Sequence, residues 1–120
     1  VDEQRVTDLS YLREIAMGDD AIVIETAETF IEDIPSALSD MQEHYEAGDW
    51  EKLQKLAHKI KPNFTYMGMD EARELIVDIE QQAKSEEVSS GLEGDIEKFV
   101  ELCNRALDEL QLKIDELKNS

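Results

Sequence analysis

The sequence predicts an all-α fold, an antiparallel four-helix bundle with a short additional N-terminal helix, and three features carry that prediction. Apolar residues recur at spacings of three and four rather than two, which is the period of a helix face and not of a strand. Only two prolines and five glycines punctuate 120 residues, leaving room for long helices. Four long apolar stripes are joined by short breaks, as in a bundle of antiparallel neighbours. A chain of 13.7 kDa closes one core. The expected organisation is an N-terminal tail over 1–7 and one helical domain over 8–118.

Each element has its own signals. Asp8 can cap a short helix over about 9–17, with Leu9, Leu12, Ile15 and Ala16 as its inward stripe and Gly18 as its end. A long helix opens at Asp19 or Asp20, runs inward through Val23, Ala27, Phe30, Ile31, Ile34, Leu38, Met41 and Tyr45, and ends at Gly48. Pro35 should bend it. Asp49 caps a third helix whose inward residues are Leu53, Leu56, Ile60, Phe64 and Met67, closing at Gly68. A fourth, capped by Asp70, packs through Ala72, Leu75, Ile76, Ile79 and Ala83. The polar stretch 85–94 reads as a loop. A last helix over 95–117 buries Ile96, Phe99, Cys103, Leu107, Leu110, Ile114 and Leu117.

Charge narrows the function. Thirty acidic residues against twelve basic ones give a net charge of −18, which repels nucleic acid and anionic lipid. A single cysteine forms no internal disulfide, the first residues do not read as a basic n-region followed by an apolar h-region, and no apolar run in this sequence approaches a membrane span. A cytoplasmic location is expected. The opening Val1, in place of a methionine, is what a segment of a longer chain would show.

One region departs from the acidic background. Residues 52–69 are eighteen consecutive positions without Asp or Glu, although a quarter of the chain is acidic. Chance alone would give this in about 1 window in 200. Four of the twelve basic residues, Lys52, Lys55, Lys59 and Lys61, fall inside it together with His58. On a helical wheel the inward stripe lies opposite His58, whereas Gln54, Lys55, Lys61, Pro62 and Thr65 lie within about 60° of it. The expected surroundings of the imidazole are therefore donors and no acid, a setting for an anion. An exposed, largely neutral imidazole is a competent nucleophile, and a phosphate on it could be offset by Lys61 at i+3 and Lys55 at i−3. No glycine-rich phosphate loop, H-E-x-x-H pair or Glu-x-x-His motif is present, and no metal is expected. Cys103 lies on the buried stripe of the last helix, away from His58.

The segment from Ala57 through His58, Lys61 and Pro62 to Gly68 resembles the signature of histidine phosphotransfer (HPt) domains, and Gly48-Asp49-Trp50 resembles the family's turn into the active helix. The departures are Pro62, where glycine is common, and Asn63 and Phe64, where small residues are frequent. The resemblance implies a helical bundle that is a phosphoryl carrier and not an enzyme. In that reading His58 is phosphorylated, Lys61, Lys55 and Gln54 stabilise the phosphoryl group, and Lys59, Pro62, Thr65, Tyr66 and Gly68 dock the partner. Implied partners are response-regulator receiver domains and a hybrid sensor kinase, with the chain itself a monomer. No cofactor is implied on this chain, because the receiver brings the acidic pocket and its Mg²⁺ ion. The alternative is a helical interaction module that docks an acidic protein without phosphochemistry. A helical enzyme with His58 as general base would need an orienting carboxylate that the acid-free segment does not supply.

Overall fold

The computed structural model describes residues 5–85 and 90–119. Five helices follow in order: α1 (Ser10–Ile15), α2 (Asp20–Ala47), α3 (Trp50–Tyr66), α4 (Asp70–Ser85) and α5 (Leu92–Lys118). Helices α2 to α5 form a ring in which each packs on two neighbours, with α3 on α4 the most extensive contact and α2 on α5 closing the circle. This is the expected antiparallel four-helix bundle. No helix among the described residues is long and apolar enough to cross a membrane.

The helices start and stop where local chemistry dictates. The Asp19 carboxylate accepts from the N–H of Ala21 and that of Asp49 from Lys52, satisfying donors that the first turns of α2 and α3 leave open. The C-terminal ends of α1, α2 and α3 share one device, in which a residue of positive φ turns the chain so that two successive N–H groups close back onto the last turn. At α2 Gly48 donates to Tyr45 and Asp49 to His44. At α3 Gly68 donates to Thr65 and Met69 to Phe64. Pro35 and Pro62 both sit on exposed faces inside continuous helices, so the carbonyl four residues back can take its missing partner from water.

A run of aromatic rings ties three helices together at the centre. Phe64 of α3 meets Phe30 of α2 edge-on at 5.8 Å and Phe99 of α5 at 5.1 Å. Each such contact adds about 1 kcal/mol beyond the area it buries. The rest of the core is aliphatic, including Leu53, Ala57, Ile60, Ile76, Ile79 and Leu110.

Several expectations are corrected. Helix α1 is shorter than 9–17, and Ile15, placed on its inward stripe, is 49% exposed. The Asp8 carboxylate does bind the N–H and Oγ of Ser10, which holds its carboxyl below the usual range, but Leu9 occupies the cap position. Leu56, Leu75, Leu107 and Leu117 are only half-buried, while Ala57, Leu102 and Ala106, not expected in the core, are enclosed in it. The loop expected over 85–94 is shorter on both sides: α4 includes Ser85, and α5 begins at Leu92, whose side chain is fully buried. One apolar residue in a polar stretch gave too little periodicity to mark that first turn. Residues 86–89 of the expected loop lie outside the described residues.

The N-terminal segment is more than a tail. Val6 and Thr7 donate their N–H groups, and Thr7 its hydroxyl, to the Glu109 carboxylate of α5, and Asp8 donates to the carbonyl of Met67. Helices α2 and α5, of 28 and 27 residues, outrun α3 and α4, of 17 and 16. Helix α1 covers α2 with the buried Leu12 and Ala16.

Gly68 stands where this segment crosses the α3–α4 turn, at φ 63°, and a Cβ there would collide with the backbone carbonyl of Asp8. Gly48 has a similar φ of 67° with open space around it. Replacing Gly48 by Ala should cost about 1 kcal/mol from backbone strain alone. Gly68→Ala should cost about 3 kcal/mol, since Asp8 must also move. Denaturant unfolding of the two variants checks this, and equal losses would show that the crossing segment yields freely.

Candidate functional site

Helix α3 buries Leu53, Ala57, Ile60 and Phe64, so its opposite face must meet solvent. His58 lies on that face with its side chain 69% exposed. The burial of Ala57 turns one flank of the helix toward α4, and Lys61, with its side chain 30% exposed, lies on this flank. The other flank faces α2, where Lys59 lines a hollow with Asp33 and Asp40.

The decisive side chain comes from α4. Glu80, only 13% exposed, places Oε2 at 2.8 Å from His58 Nδ1 and accepts from Lys61 Nζ through Oε1 at 3.0 Å. Burial alone would push the Glu80 carboxyl up, but the hydrogen bonds from Lys61 and His58 and their charges outweigh it and hold the group below its ordinary range. An ionised carboxylate only accepts, so His58 must present a hydrogen on Nδ1 to it. Of the two neutral tautomers, the one this contact selects keeps its lone pair on Nε2, the nitrogen left for chemistry. The expectation that donors alone surround the imidazole is therefore corrected: a carboxylate reaches it from the neighbouring helix. The signal was present in the sequence. His58 lies eleven residues before Met69 and Glu80 eleven after it, so a helical hairpin turning at Met69 sets them opposite each other.

The other candidates are placed as follows. Gln54 is half-buried on α3, and Lys55 is exposed and paired with Glu51 at 3.0 Å. Lys52 pairs with Asp49 at 3.8 Å, so among the described residues Lys59 is the one lysine of the four without a carboxylate at that range. The positive patch is thus largely compensated, although exposed pairs of this kind are weak enough for a partner to exchange. Pro62, Thr65 and Tyr66 line a shallow hollow of about 270 Å³ with Lys61, Arg73 and Tyr11. Gly68 does not join them. It lies roughly 15 Å farther along the helix from His58 and is taken up by its contact with Asp8. Arg73, Glu80 and Tyr11 are the site residues that sequence reasoning did not single out.

His44, half-buried at the C-terminal end of α2, lines a different hollow beside Glu43, Glu46 and Asp49. Burial pushes the Cys103 thiol up to about 12, so no thiolate is at hand. Among the described residues no group of three His, Cys, Asp or Glu side chains could hold a metal ion.

The Glu80 bridge predicts a pH signature. A carboxyl whose folded pKa is lowered stabilises the fold fully above its ordinary value of 4.5 and loses that contribution as pH falls through the lowered one. Glu80→Gln should therefore cost about 1 kcal/mol at neutral pH and progressively less in acid. Denaturation midpoints of the two proteins across a pH series measure it, and a constant gap would refute the bridge.

No curated protein and no solved structure matches the chain at a significant level. The family model described as Hpt domain matches residues 25–120, which is 96 of the 120 residues, and takes in α3 and α4 whole. A helical bundle that presents a solvent-facing histidine anchored from behind, matched over four-fifths of its length, belongs to the Hpt domain family, whose general role is histidine phosphotransfer in phosphorelays.

Proposed function

We propose that His58 is the residue that carries the phosphoryl group, taking it from the aspartyl phosphate of one receiver domain and giving it to the aspartate of another. The observation that supports this most is the 2.8 Å contact of Nδ1 with Glu80 on a side chain that is 69% exposed. It fixes the ring, reserves one nitrogen for the carboxylate and leaves the other open to a partner.

The transfer balances as a single displacement. The Nε2 lone pair attacks phosphorus, the bond from phosphorus to the aspartyl oxygen breaks, and the aspartate leaves as a carboxylate. Positive charge develops on the ring as the N–P bond forms, and Glu80 offsets it through the Nδ1 hydrogen, as a buried carboxylate does behind a catalytic imidazole. Lys61 has three donor hydrogens, of which one is used on Glu80, so it can also bind a phosphoryl oxygen. Lys55 and Gln54 flank the same face and can assist.

Glu80 is the orienting carboxylate that a general-base enzyme would need, but 69% exposure places His58 in water and not in a substrate pocket. A carrier needs that exposure, because its partner brings the catalytic groups and the Mg²⁺ ion. The same reading makes receiver domains and a hybrid sensor kinase the partners of a monomeric chain. Lys59, Pro62, Thr65 and Tyr66 are the docking residues that remain once Gly68 is assigned to the fold.

Incubation with a phosphorylated receiver domain tests the assignment. His58→Gln should abolish acid-labile labelling with a stability loss of about 1 kcal/mol or less, because Glu80 keeps Lys61 when it loses the Nδ1 hydrogen bond, whereas His44→Gln should change neither. Label that survives loss of His58 would move the phosphorylated residue elsewhere and overturn the assignment, whereas a wild-type chain that takes no label would leave the interaction-module reading. Lys61→Ala should slow transfer by about tenfold or more, the cost of one charge-assisted hydrogen bond. A normal rate in that variant would remove Lys61 from the site.

A further inference from the structure

Helix α1 precedes the residues matched by the family model, yet it is built into the His58 face. Tyr11 stacks on Tyr66 with ring centroids 6.3 Å apart and planes inclined by 21°, and the two rings line one hollow with Lys61, Pro62 and Arg73. Both tyrosines remain exposed, at 47% and 39%. Ile15, one helical turn beyond Tyr11, is 49% exposed. Large exposed apolar side chains otherwise occur at Met17, Ile22 and Leu112, and only Leu112 lies on α5. The exposed apolar surface is therefore concentrated at α1, the turn after it, the start of α2 and the end of α3.

The placement of α1 is fixed from both sides. The Glu109 carboxylate holds Val6 and Thr7, the Met67 carbonyl holds Asp8, and Leu12 and Ala16 are buried beneath the helix. Tyr11 is thus held in position and not left to swing. Aromatic residues held half in water at a fixed position are enriched at interface cores.

We propose that Tyr11 and Ile15 extend the docking face of His58 and form, with Tyr66, the apolar core against which a receiver domain seats, so that α1 selects which receivers are served. The inference rests on the phosphotransfer reading of His58. Three observations favour this occupant. The hollow that the two tyrosines line includes Lys61 and Pro62, three and four residues after His58 on the same helix face, and Lys61 and Arg73 border it with positive charge suited to a partner bearing a phosphoryl group. A stable interface buries about 800 Å² on each side, more than the turns around His58 alone can offer. The net charge of −18 opposes both a second copy of the chain and an anionic lipid surface.

The test measures phosphotransfer from a phosphorylated receiver domain that labels the wild-type chain. The double variant Tyr11→Ser, Ile15→Ser should raise KM by about tenfold and leave the rate at saturating receiver within about twofold, the pattern of lost docking. Labelling by phosphoramidate, a donor with no surface to dock, should be unchanged. Leu112→Ser should leave KM unaltered. Should the double variant lose helicity, Ile15→Ser alone decides, with an expected rise of about threefold. An unchanged KM, an equal rise in Leu112→Ser, or a wild-type dimer that the variant dissociates would each overturn the proposal. Absence of label on the wild-type chain with either donor would remove the phosphotransfer reading itself, whereas normal wild-type labelling with an unchanged variant KM would remove only the role of α1.

Discussion

Because Ala57, Ile60 and Phe64 are drawn into the core together, α3 can face only one way, and every property of the site descends from that orientation. His58 is turned to solvent and Lys61 toward α4, where Glu80 meets them both. The core fixes this through shape as much as through area. Phe64 is clasped edge-on between Phe30 and Phe99, so rotating α3 to hide His58 would break two aromatic contacts and bury an imidazole without a partner. The bundle is the device that keeps one nitrogen of one histidine in water and the other on a carboxylate.

In the proposed reading, that division of labour lets an acidic chain accept a phosphoryl group. The segment 52–69 carries no acid, and the one carboxylate that approaches His58 does so from behind, on the side of Nδ1. A positive ring formed by phosphorylation would be stabilised there, with the carboxylate away from the incoming phosphate. Lys61 neutralises the same carboxylate, so Glu80 can remain ionised within the helix interface. Removing either partner would leave a largely buried charge poorly compensated.

Much of this was legible in the sequence, and the failures are physically specific. The four long stripes, the caps at Asp19 and Asp49 and the glycine ends of the helices were readable because each follows from a local rule of period, cap or φ. The outward placement of His58 was readable because the inward stripe of its helix lies opposite it. Glu80 was missed because its partner lies 22 residues away, and proximity in sequence says nothing about contact between helices. Only the mirror relation about Met69 could have paired them. The fold role of Gly68 was not read for a related reason: its positive φ was legible as a helix end, but the crossing of Asp8 comes from sixty residues away. The N-terminal segment was read as tail because Thr7 and Glu109 are 102 residues apart, and no periodicity marks a strap held by hydrogen bonds.

The central claim is that Glu80 holds the Nδ1 hydrogen of His58 so that Nε2 alone accepts the phosphoryl group. Nitrogen-15 NMR of the imidazole, recorded before and after labelling with phosphoramidate, tests it directly. The expected result is a ring that carries a hydrogen on Nδ1 before labelling and a phosphorus bond to Nε2 of His58 afterwards. A phosphoryl group on Nδ1, or a ring protonated only at Nε2 beforehand, would contradict it.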